Sequence, residues 1–191
     1  MRSILGIVGS PREGGNTHQL VERVLAAARA EGAETRLFAC AGKTIQPCAA
    51  CDACIDGRTD LCVIDDDMQP LYPLLRWADA IVFGSPVYMG TITAQLKAIF
   101  DRARPLWRQP GGLLHKAAAA VVVGEGRWGR QEHAFQTIYW AALNHGMVIP
   151  GPDCEVCGVA DAPGDIQRDA QALAAADDLG RRLARMTLRL G

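Results

Sequence analysis

Short runs of β-branched and apolar residues alternate along this chain with longer segments in which apolar residues recur at helical spacing. The runs have the length of buried strands and lie at residues 3–8, 34–40, 80–84, 117–123 and within 147–156. The helical segments lie at residues 17–31, 67–77, 93–102, 132–144 and 165–189. Strands that alternate with helices form parallel sheets with helices on both faces. The pattern therefore predicts an α/β fold, a three-layer α/β/α sandwich on a five-stranded parallel sheet.

Loops rich in Gly, Pro and Ser follow three of these predicted strands. They comprise residues 9–17, 85–90 and 124–129. In open parallel sheets, ligands bind outside the carboxyl ends of the strands. We therefore expect the three loops to gather at one edge of the sheet around one ligand.

The first of these loops, Gly9–Thr17, leads from a strand directly into a helix. Successive backbone N–H groups at a helix N-terminus bind anions. Ser10, Asn16 and Thr17 add side-chain donors to this site. Arg12 adds a positive charge suited to a terminal phosphate. The alternative interpretation is an ordinary strand-to-helix turn capped by Asn16 or Thr17.

The residues of this loop exclude two common nucleotide-binding motifs. A P-loop ends in Gly-Lys-Ser/Thr, whereas this loop ends in Gly14-Gly15-Asn16-Thr17 and has no lysine. The dinucleotide fingerprint needs the spacing Gly-x-Gly-x-x-Gly, which the loop lacks. What remains is a monophosphate site without an obligatory metal, which suits FMN.

The other two loops have the composition of a site for the flavin ring. Such a ring needs a flat apolar cradle and backbone N–H groups directed at its polar edge. The candidates in the second loop are Pro86, Val87, Tyr88, Met89 and Gly90. Those in the third loop are Gly124, Gly126 and Trp128. Trp128 is available to stack on the ring, and its alternative interpretation is a buried core aromatic.

These motifs resemble the flavodoxin-like NAD(P)H-dependent FMN reductases. The matching stretches are Gly-Ser-Pro-Arg-x-x-Gly-Asn-Thr at 9–17, Ser-Pro-Val-Tyr-x-Gly at 85–90, the helix at 94–102, and the glycine-rich third loop followed by Gln131-Glu132. The resemblance implies a flavodoxin-like sheet in the order 2-1-3-4-5, bound FMN, and NAD(P)H as co-substrate. It also implies a homodimer or homotetramer with the flavin near a subunit interface. Arg127-Trp128-Gly129-Arg130 departs from the plainer third loop of the family, so the family's substrates do not transfer directly.

Four cysteines within residues 48–62 form the second chemical signal. They are Cys48, Cys51, Cys54 and Cys62. Cysteines at this spacing allow one loop to bind three corners of an iron–sulfur cube while a later cysteine binds the fourth. Zinc sites usually separate two Cys-x2-Cys pairs more widely, so the compact run favours a [4Fe–4S] cluster. A zinc site, free thiols and disulfides remain alternatives. The spacing resembles that of the iron–sulfur flavoproteins, in which the cluster passes electrons to FMN.

Other features of the chain are less specific. Cys40, at a strand end, is expected in the core, and the Cys154-x2-Cys157 pair lacks the helix N-terminus that activates a thiol. Asp67 is expected to cap the helix that follows it.

Composition and charge limit the compartment and the partners. The formal net charge of −1 gives no basic excess for binding nucleic acid, and the longest apolar run, 117–123, is far too short to span a membrane. Clustered cysteines point to metal or redox chemistry in a reducing cytosol. We therefore expect a cytoplasmic protein with a single domain over residues 1–191 and a cysteine-rich insertion at about 41–66.

The sequence as a whole predicts an FMN-dependent oxidoreductase. Electrons would come from NAD(P)H or a ferredoxin-like donor and pass to a quinone, another flavin or an iron–sulfur acceptor. No side chain is needed as an acid or base, because the flavin carries the chemistry. The alternative is a non-enzymatic electron carrier or redox-sensing module that docks to a protein partner.

Overall fold

The computed structural model describes residues 3–107, 109–126, 129–151 and 153–190. The strands are β1 (Ser3–Val8), β2 (Glu34–Ala39), β3 (Ala80–Pro86), β4 (Ala117–Gly124) and β5 (Glu155–Val159). The helices are α1 (Asn16–Ala30), α2 (Leu71–Trp77), α3 (Ala94–Arg102), α4 (Gln131–Asn144) and α5 (Ala170–Leu190).

The five strands form one parallel sheet in the order β2-β1-β3-β4-β5. Every residue of β1 and of β4 is buried, as expected for inner strands of a sheet covered on both faces. Both the α/β class and the order 2-1-3-4-5 are thus confirmed. The chain first adds β2 on one side of β1 and then adds β3, β4 and β5 on the other, so the strand order reverses between β1 and β3, where Gly9 and Gly84 are neighbours.

Two separate apolar cores lie on the two faces of the sheet. Helices α1 and α5 cover one face, with Val21, Val24 and Leu179 among the buried residues. Helices α2, α3 and α4 cover the other, with Phe83 and Phe100 in contact at a centroid distance of 4.8 Å. The structure is therefore a three-layer α/β/α sandwich, as predicted. No helix within the described ranges has both the length and the apolar character needed to cross a membrane.

Three predicted elements differ from those observed, among them the helix expected at 67–77, which begins at Leu71. The fifth strand was expected within 147–156 but begins at Glu155. Val148 forms only an isolated bridge to Ala117, and the chain then turns through Pro150, which has no N–H, and Gly151, whose φ is 90°. The last helix was expected from 165 but begins at 170, after a 3-10 turn over Asp165–Arg168.

The cysteine-rich segment at 41–66 contains neither helix nor strand. The segment follows β2 and precedes α2, so it connects the edge strand of the sheet to a helix on one of its faces. Asp67 does not cap α2, which begins only at Leu71; its carboxylate accepts the Thr44 N–H at 2.7 Å instead. The expected cap is therefore wrong, and the carboxylate ties the end of the segment to its start.

Candidate functional site

The loop after β1 is held firmly against the ends of neighbouring elements. The Gly9 N–H donates to the Gly84 carbonyl at 2.7 Å, and the Thr93 hydroxyl donates to the Gly9 carbonyl at 2.7 Å. A side chain at position 9 would place its Cβ 2.6 Å from that of Leu96, so only glycine fits. The sequence thus fixes the loop at the carboxyl edge between β1 and β3.

The N-terminus of α1 presents open hydrogen-bond donors to this edge. Gly15 occupies the N-cap position and provides no side chain, so the first-turn N–H groups have no side-chain cap. Ser10 is buried, and its hydroxyl accepts the Arg12 N–H at 3.1 Å. Thr17 is also buried, whereas the Arg12 side chain is exposed beside the loop. This arrangement has the features of an anion site.

The Asn16 side chain has a different role from the one predicted. Its Nδ2 donates to the Ala162 carbonyl at 2.9 Å, and its Oδ1 accepts the Gly164 N–H at 2.9 Å. The amide therefore joins the start of α1 to the loop after β5. Asn16 can still offer its backbone N–H to an anion.

The second loop contains a tight turn that directs Met89 into solvent. Tyr88 and Thr91 exchange backbone hydrogen bonds of 2.8 and 3.1 Å. Met89 and Gly90 between them have φ values of 47° and 86°, as a type I′ turn requires. The Met89 side chain is completely exposed. Met89 and Gly90 therefore shape the turn, and neither lines the cleft described below.

The start of the second loop is held by backbone groups. The Val87 N–H donates to the Val123 carbonyl at 2.9 Å, which keeps the loop beside the end of β4. The Ser85 hydroxyl accepts the Thr93 N–H at 3.1 Å and donates to the Pro86 carbonyl at 2.8 Å. Residues 86–88 are consequently fixed as a short strip at the sheet edge, in which Pro86 and Val87 are half-buried and Tyr88 is exposed.

The third loop is organised by the buried side chain of Gln131. Its Nε2 donates to the Gly126 carbonyl at 2.9 Å, and the Gly129 N–H donates to the same carbonyl at 3.0 Å. A Cβ at Gly124 would lie 2.3 Å from Gln131 Nε2, so any larger residue there would displace the amide that holds the loop. Trp128, predicted to stack on a flavin, lies outside the described residues.

The loops enclose a cleft of about 170 Å³ at the carboxyl edge of the sheet. Eight of the predicted flavin-binding residues line it: Ser10, Arg12, Asn16, Thr17, Pro86, Val87, Tyr88 and Gly124. Five further residues line the cleft without having been predicted: Gly15, Val123, Glu125, Ala160 and Asp161. Gly126, which was also predicted, is not among the lining residues, and its carbonyl accepts the hydrogen bond from Gln131.

Two of these five residues, Glu125 and Asp161, add negative charge to the lining of the cleft. Arg12 supplies positive charge near the N-terminus of α1, whereas Glu125 and Asp161 supply carboxylates elsewhere in the lining. Asp161 comes from the loop after β5, which Asn16 holds in place. Applying the rule of strand carboxyl ends to the fifth strand would have identified this loop as well.

The four predicted metal-ligating cysteines lie in the segment between β2 and α2. Cys48 and Cys51 are exposed, and Cys54 and Cys62 are half-buried. Burial raises the pKa of the Cys54 thiol, the positive charge of Arg104 opposes this, and the neighbouring Cys62 and Cys48 raise it further. Three of the four thiols are therefore close enough to influence one another electrostatically.

The backbone between these cysteines is strained. Ala50 and Asp52 have φ values of 50° and 56°, in the left-handed region that costs a non-glycine residue roughly 1–2 kcal/mol. The Ala50 N–H lies 3.4 Å from Cys48 Sγ and donates to it. Strain of this kind is found where function demands it, and N–H donors stabilise thiolates. Both features suit a metal–thiolate loop.

The side chains do not form a site for a single metal ion. Among the described residues, no group of three or more His, Cys, Asp or Glu side chains is arranged to hold one. Zinc requires its ligands at about 2.0–2.3 Å from one ion, whereas the four thiolates of an iron–sulfur cube bind separate irons. Four thiolate donors in one segment have the chemistry that an iron–sulfur cluster requires.

The remaining three cysteines are free thiols in different surroundings. Cys40 is buried, as predicted, and burial raises the pKa of its thiol to about 12. Cys154 is buried with its Sγ 3.2 Å from the Tyr139 hydroxyl, whereas Cys157 is exposed on β5. No disulfide joins any of the described cysteines.

Comparison with known proteins agrees with this geometry. The model of the NADPH-dependent FMN reductase family matches residues 2–160. An iron–sulfur flavoprotein of Methanosarcina thermophila is 42% identical over 163 residues, covering 85% of this chain and 84% of its own. Another, from Methanocaldococcus jannaschii, is 40% identical over 186 residues and covers 95% of each chain.

A solved structure shows the same fold. The flavodoxin-related WrbA-like protein of Agrobacterium tumefaciens superposes with a TM-score of 0.68 at 18% identity, over 98% of both chains. The match over residues 2–160 includes all three loops of the cleft and the cysteine segment. The chain therefore belongs to the NADPH-dependent FMN reductase family, on the branch that contains the iron–sulfur flavoproteins.

Proposed function

We propose that the cleft binds FMN and that the protein uses it to transfer electrons from NAD(P)H or a ferredoxin-like donor. The observation that carries this proposal is the uncapped N-terminus of α1, which meets Arg12 and the strip at 86–88 in one cleft. The N–H groups of this helix end and the guanidinium suit a terminal phosphate. The carboxylates of Glu125 and Asp161 suit the hydroxyl groups of a ribityl chain.

The size of the cleft indicates which part of FMN it encloses. Pockets that bury a whole ligand usually measure about 300–1,000 Å³, whereas this cleft measures about 170 Å³. It would therefore accommodate the phosphate and the ribityl chain, and Pro86, Val87 and Tyr88 would hold the ring at the mouth. A ring at the mouth is open to a second substrate.

We propose that the thiolates of Cys48, Cys51, Cys54 and Cys62 hold a [4Fe–4S] cluster. The relatives named iron–sulfur flavoproteins, the spacing of the four cysteines and the amide-to-sulfur contact at Cys48 support this. When bound, FMN supplies hydride acceptance and one-electron transfer, and the cluster supplies one-electron transfer.

The chain's own residues have positioning and electrostatic roles. Arg12 and the first turn of α1 neutralise the phosphate, and residues 86–88 exclude water from one side of the ring. The contact from Gly9 to Gly84 keeps these two parts at a fixed separation. No described side chain is required as a general acid or base, and the final acceptor is a quinone, another flavin or an iron–sulfur centre.

We also propose that the protein is a cytoplasmic homodimer or homotetramer. Trp140 and Leu143 on α4 are 73% and 49% exposed, and Met89 of the second loop is fully exposed. The Thr91 and Thr137 hydroxyls, 2.9 Å apart, connect that loop to α4. Exposed apolar side chains beside a ligand site suit a subunit interface. A monomer mass by light scattering at micromolar concentration would contradict this.

The test of the proposed function is anaerobic reduction of the purified protein. Steady oxidation of NADPH or NADH with an added quinone or flavin is the expected result. Photoreduction of bound flavin without any NAD(P)H turnover, and with rapid exchange to a protein partner, would indicate the electron carrier instead. Replacement of both Arg12 and Thr17 by alanine is expected to abolish FMN retention.

A further inference from the structure

The guanidinium of Arg102 is buried beneath the cysteine segment. Arg102 is in the last turn of α3, and its side chain has no exposed surface. Nη1 donates to Asp66 Oδ2 at 2.5 Å and to the Gln46 carbonyl at 3.2 Å, and Nη2 donates to the Ile64 carbonyl at 3.1 Å. The guanidinium therefore contacts both ends of the segment that contains the four cysteines.

Asp66 completes this connection from the other side. Its carboxylate accepts the Gln46 N–H at 2.8 Å and the Met68 N–H at 3.0 Å, and only 4% of its side chain is exposed. Arg102 and Asp66 together join residue 46, before the first cysteine, to residues 64–66, after the last one. We call this pair the clasp.

One donor of the clasp lacks an acceptor. Arg102 Nε is buried and has no hydrogen-bond partner among the described residues. Leaving a buried donor unpaired costs about 1–3 kcal/mol, and more for a charged group. Burial lowers the pKa of Arg102, and Asp66 and the Cys62 thiol beside the guanidinium raise it to a larger extent. Nη2 of the same guanidinium binds the Ile64 carbonyl, two residues after Cys62, and Gln69 Nε2 binds the carbonyls of both Cys62 and Ile64. The guanidinium therefore lies beside the part of the segment that contains the half-buried Cys62 thiol.

We propose that Arg102 is a positioning residue for the iron–sulfur site, and that its Nε–H donates a hydrogen bond to Cys62 Sγ once that sulfur is a thiolate ligand. This inference rests on the proposed function, in which Cys62 binds the cluster. A thiolate accepts such a bond far better than the protonated thiol does, so cluster binding satisfies the orphaned donor. Hydrogen bonds to the ligand sulfur and nearby positive charge raise the reduction potential of a cluster.

Arg104 provides a matched comparison for this role. It follows α3 directly and lies near Cys54 and Cys48, but its side chain is 41% exposed and pairs with Asp52 at 2.6 Å. Solvent screens an exposed charge of this kind. Arg104→Lys therefore controls for changing an arginine to lysine near the same cysteines.

The experiment compares R102K with R104K after anaerobic cluster reconstitution. Two quantities are measured: the midpoint potential of the cluster by EPR-monitored titration, and the rate of iron loss to a ferrous chelator. R102K is expected to have a lower potential than wild type and to lose iron roughly 10–100 times faster, as for other outer-shell partners of metal ligands. R104K is expected to stay within about twofold of wild type in the rate of iron loss.

Three results would overturn the inference. If R102K loses iron faster while its potential equals that of R104K, the clasp is only a structural support. If the R102K potential and rate both match R104K, Arg102 has no role at the cluster, although the proposed function stands. If wild type holds no iron, the cluster itself is wrong and the inference fails with it.

A measurement without an Arg102 variant covers the case in which R102K does not fold. R104K protein containing 15N-labelled arginine is reduced, and the hyperfine coupling of nitrogen to the cluster spin is recorded. A coupling to a guanidinium nitrogen is expected, because Arg102 remains in that protein. Absence of any arginine coupling would overturn the hydrogen bond to Cys62.

Discussion

Replacement of Arg12 by alanine tests the phosphate site without disturbing the fold. The Arg12 side chain is exposed, and no ion pair joins its guanidinium to a carboxylate within the described part of the chain. Loss of an exposed side chain that forms no ion pair usually changes the free energy of unfolding by less than about 0.5 kcal/mol. The cofactor-free R12A protein should therefore unfold at the same urea concentration as wild type.

The expected loss of FMN affinity follows from the chemistry of the missing contact. Arg12 lines the cleft at the open N-terminus of α1, where a phosphate would accept its charge-assisted hydrogen bonds. A hydrogen bond to a charged group contributes about 1.5–3 kcal/mol. The dissociation constant of FMN should rise roughly 10- to 150-fold. Riboflavin lacks the phosphate, so its affinity should not change.

The assay is fluorescence quenching of FMN and of riboflavin on titration with cofactor-free protein. Arg168→Ala is the matched control, because Arg168 lines the groove beside the cleft, pairs with Asp165 at 3.3 Å and has a side chain that is 86% exposed. R168A should bind both flavins as wild type does. An R12A protein with normal FMN affinity, or one that loses FMN and riboflavin equally, would refute the assignment of the phosphate site.

Three further predictions concern stability and thiol reactivity. Gly84→Ala would place a Cβ 2.4 Å from Val21 Cγ2, so urea unfolding should show a loss of about 1–3 kcal/mol; unchanged stability would contradict the packing. Asp66→Asn breaks the buried pair with Arg102 and should cost about 3–5 kcal/mol near neutral pH. Burial raises the pKa of Asp66, but the bonds from Arg102 and from backbone N–H groups lower it overall. The stabilisation is therefore present above the unfolded pKa of about 3.9 and is lost as the pH falls through the folded pKa. The free energies of unfolding of wild type and D66N should consequently converge in acid. A difference between them that stays constant with pH would refute this. Burial raises the pKa of Cys40 to about 12, so a thiol reagent at mildly alkaline pH should label Cys40 only after unfolding, as read by peptide mass spectrometry; rapid native labelling would contradict its burial.

The regular part of the fold could be predicted because local patterns determine it. The apolar runs at 3–8 and 117–123 coincide with β1 and with all but the last residue of β4, and the helical pattern at 17–31 differs from α1 by one residue at each end. The order of the strands came from the resemblance of the loops to a family. The alternation alone predicts a parallel sheet but does not fix the positions of its strands.

The interpretation failed where distant residues determine the structure. Asn16 was expected to face a phosphate, but its amide binds Ala162 and Gly164, which no local pattern connects to it. The fifth strand was placed too early because the apolar residues before Pro150 have strand composition without a continuous ladder. The pair of Asp66 and Arg102 was also missed, since charged residues in a loop and at a helix end suggest solvent exposure.

The central claim is that one chain holds both a flavin in the cleft and a cluster in the cysteine segment. The most direct test is the visible spectrum of anaerobically purified protein, taken together with iron, sulfide and flavin assays. The account predicts flavin bands over a broad iron–sulfur absorption, with about one FMN and about four irons per chain. Protein from a careful anaerobic preparation that lacks either flavin or iron, and cannot be reconstituted with the missing group, would contradict the account.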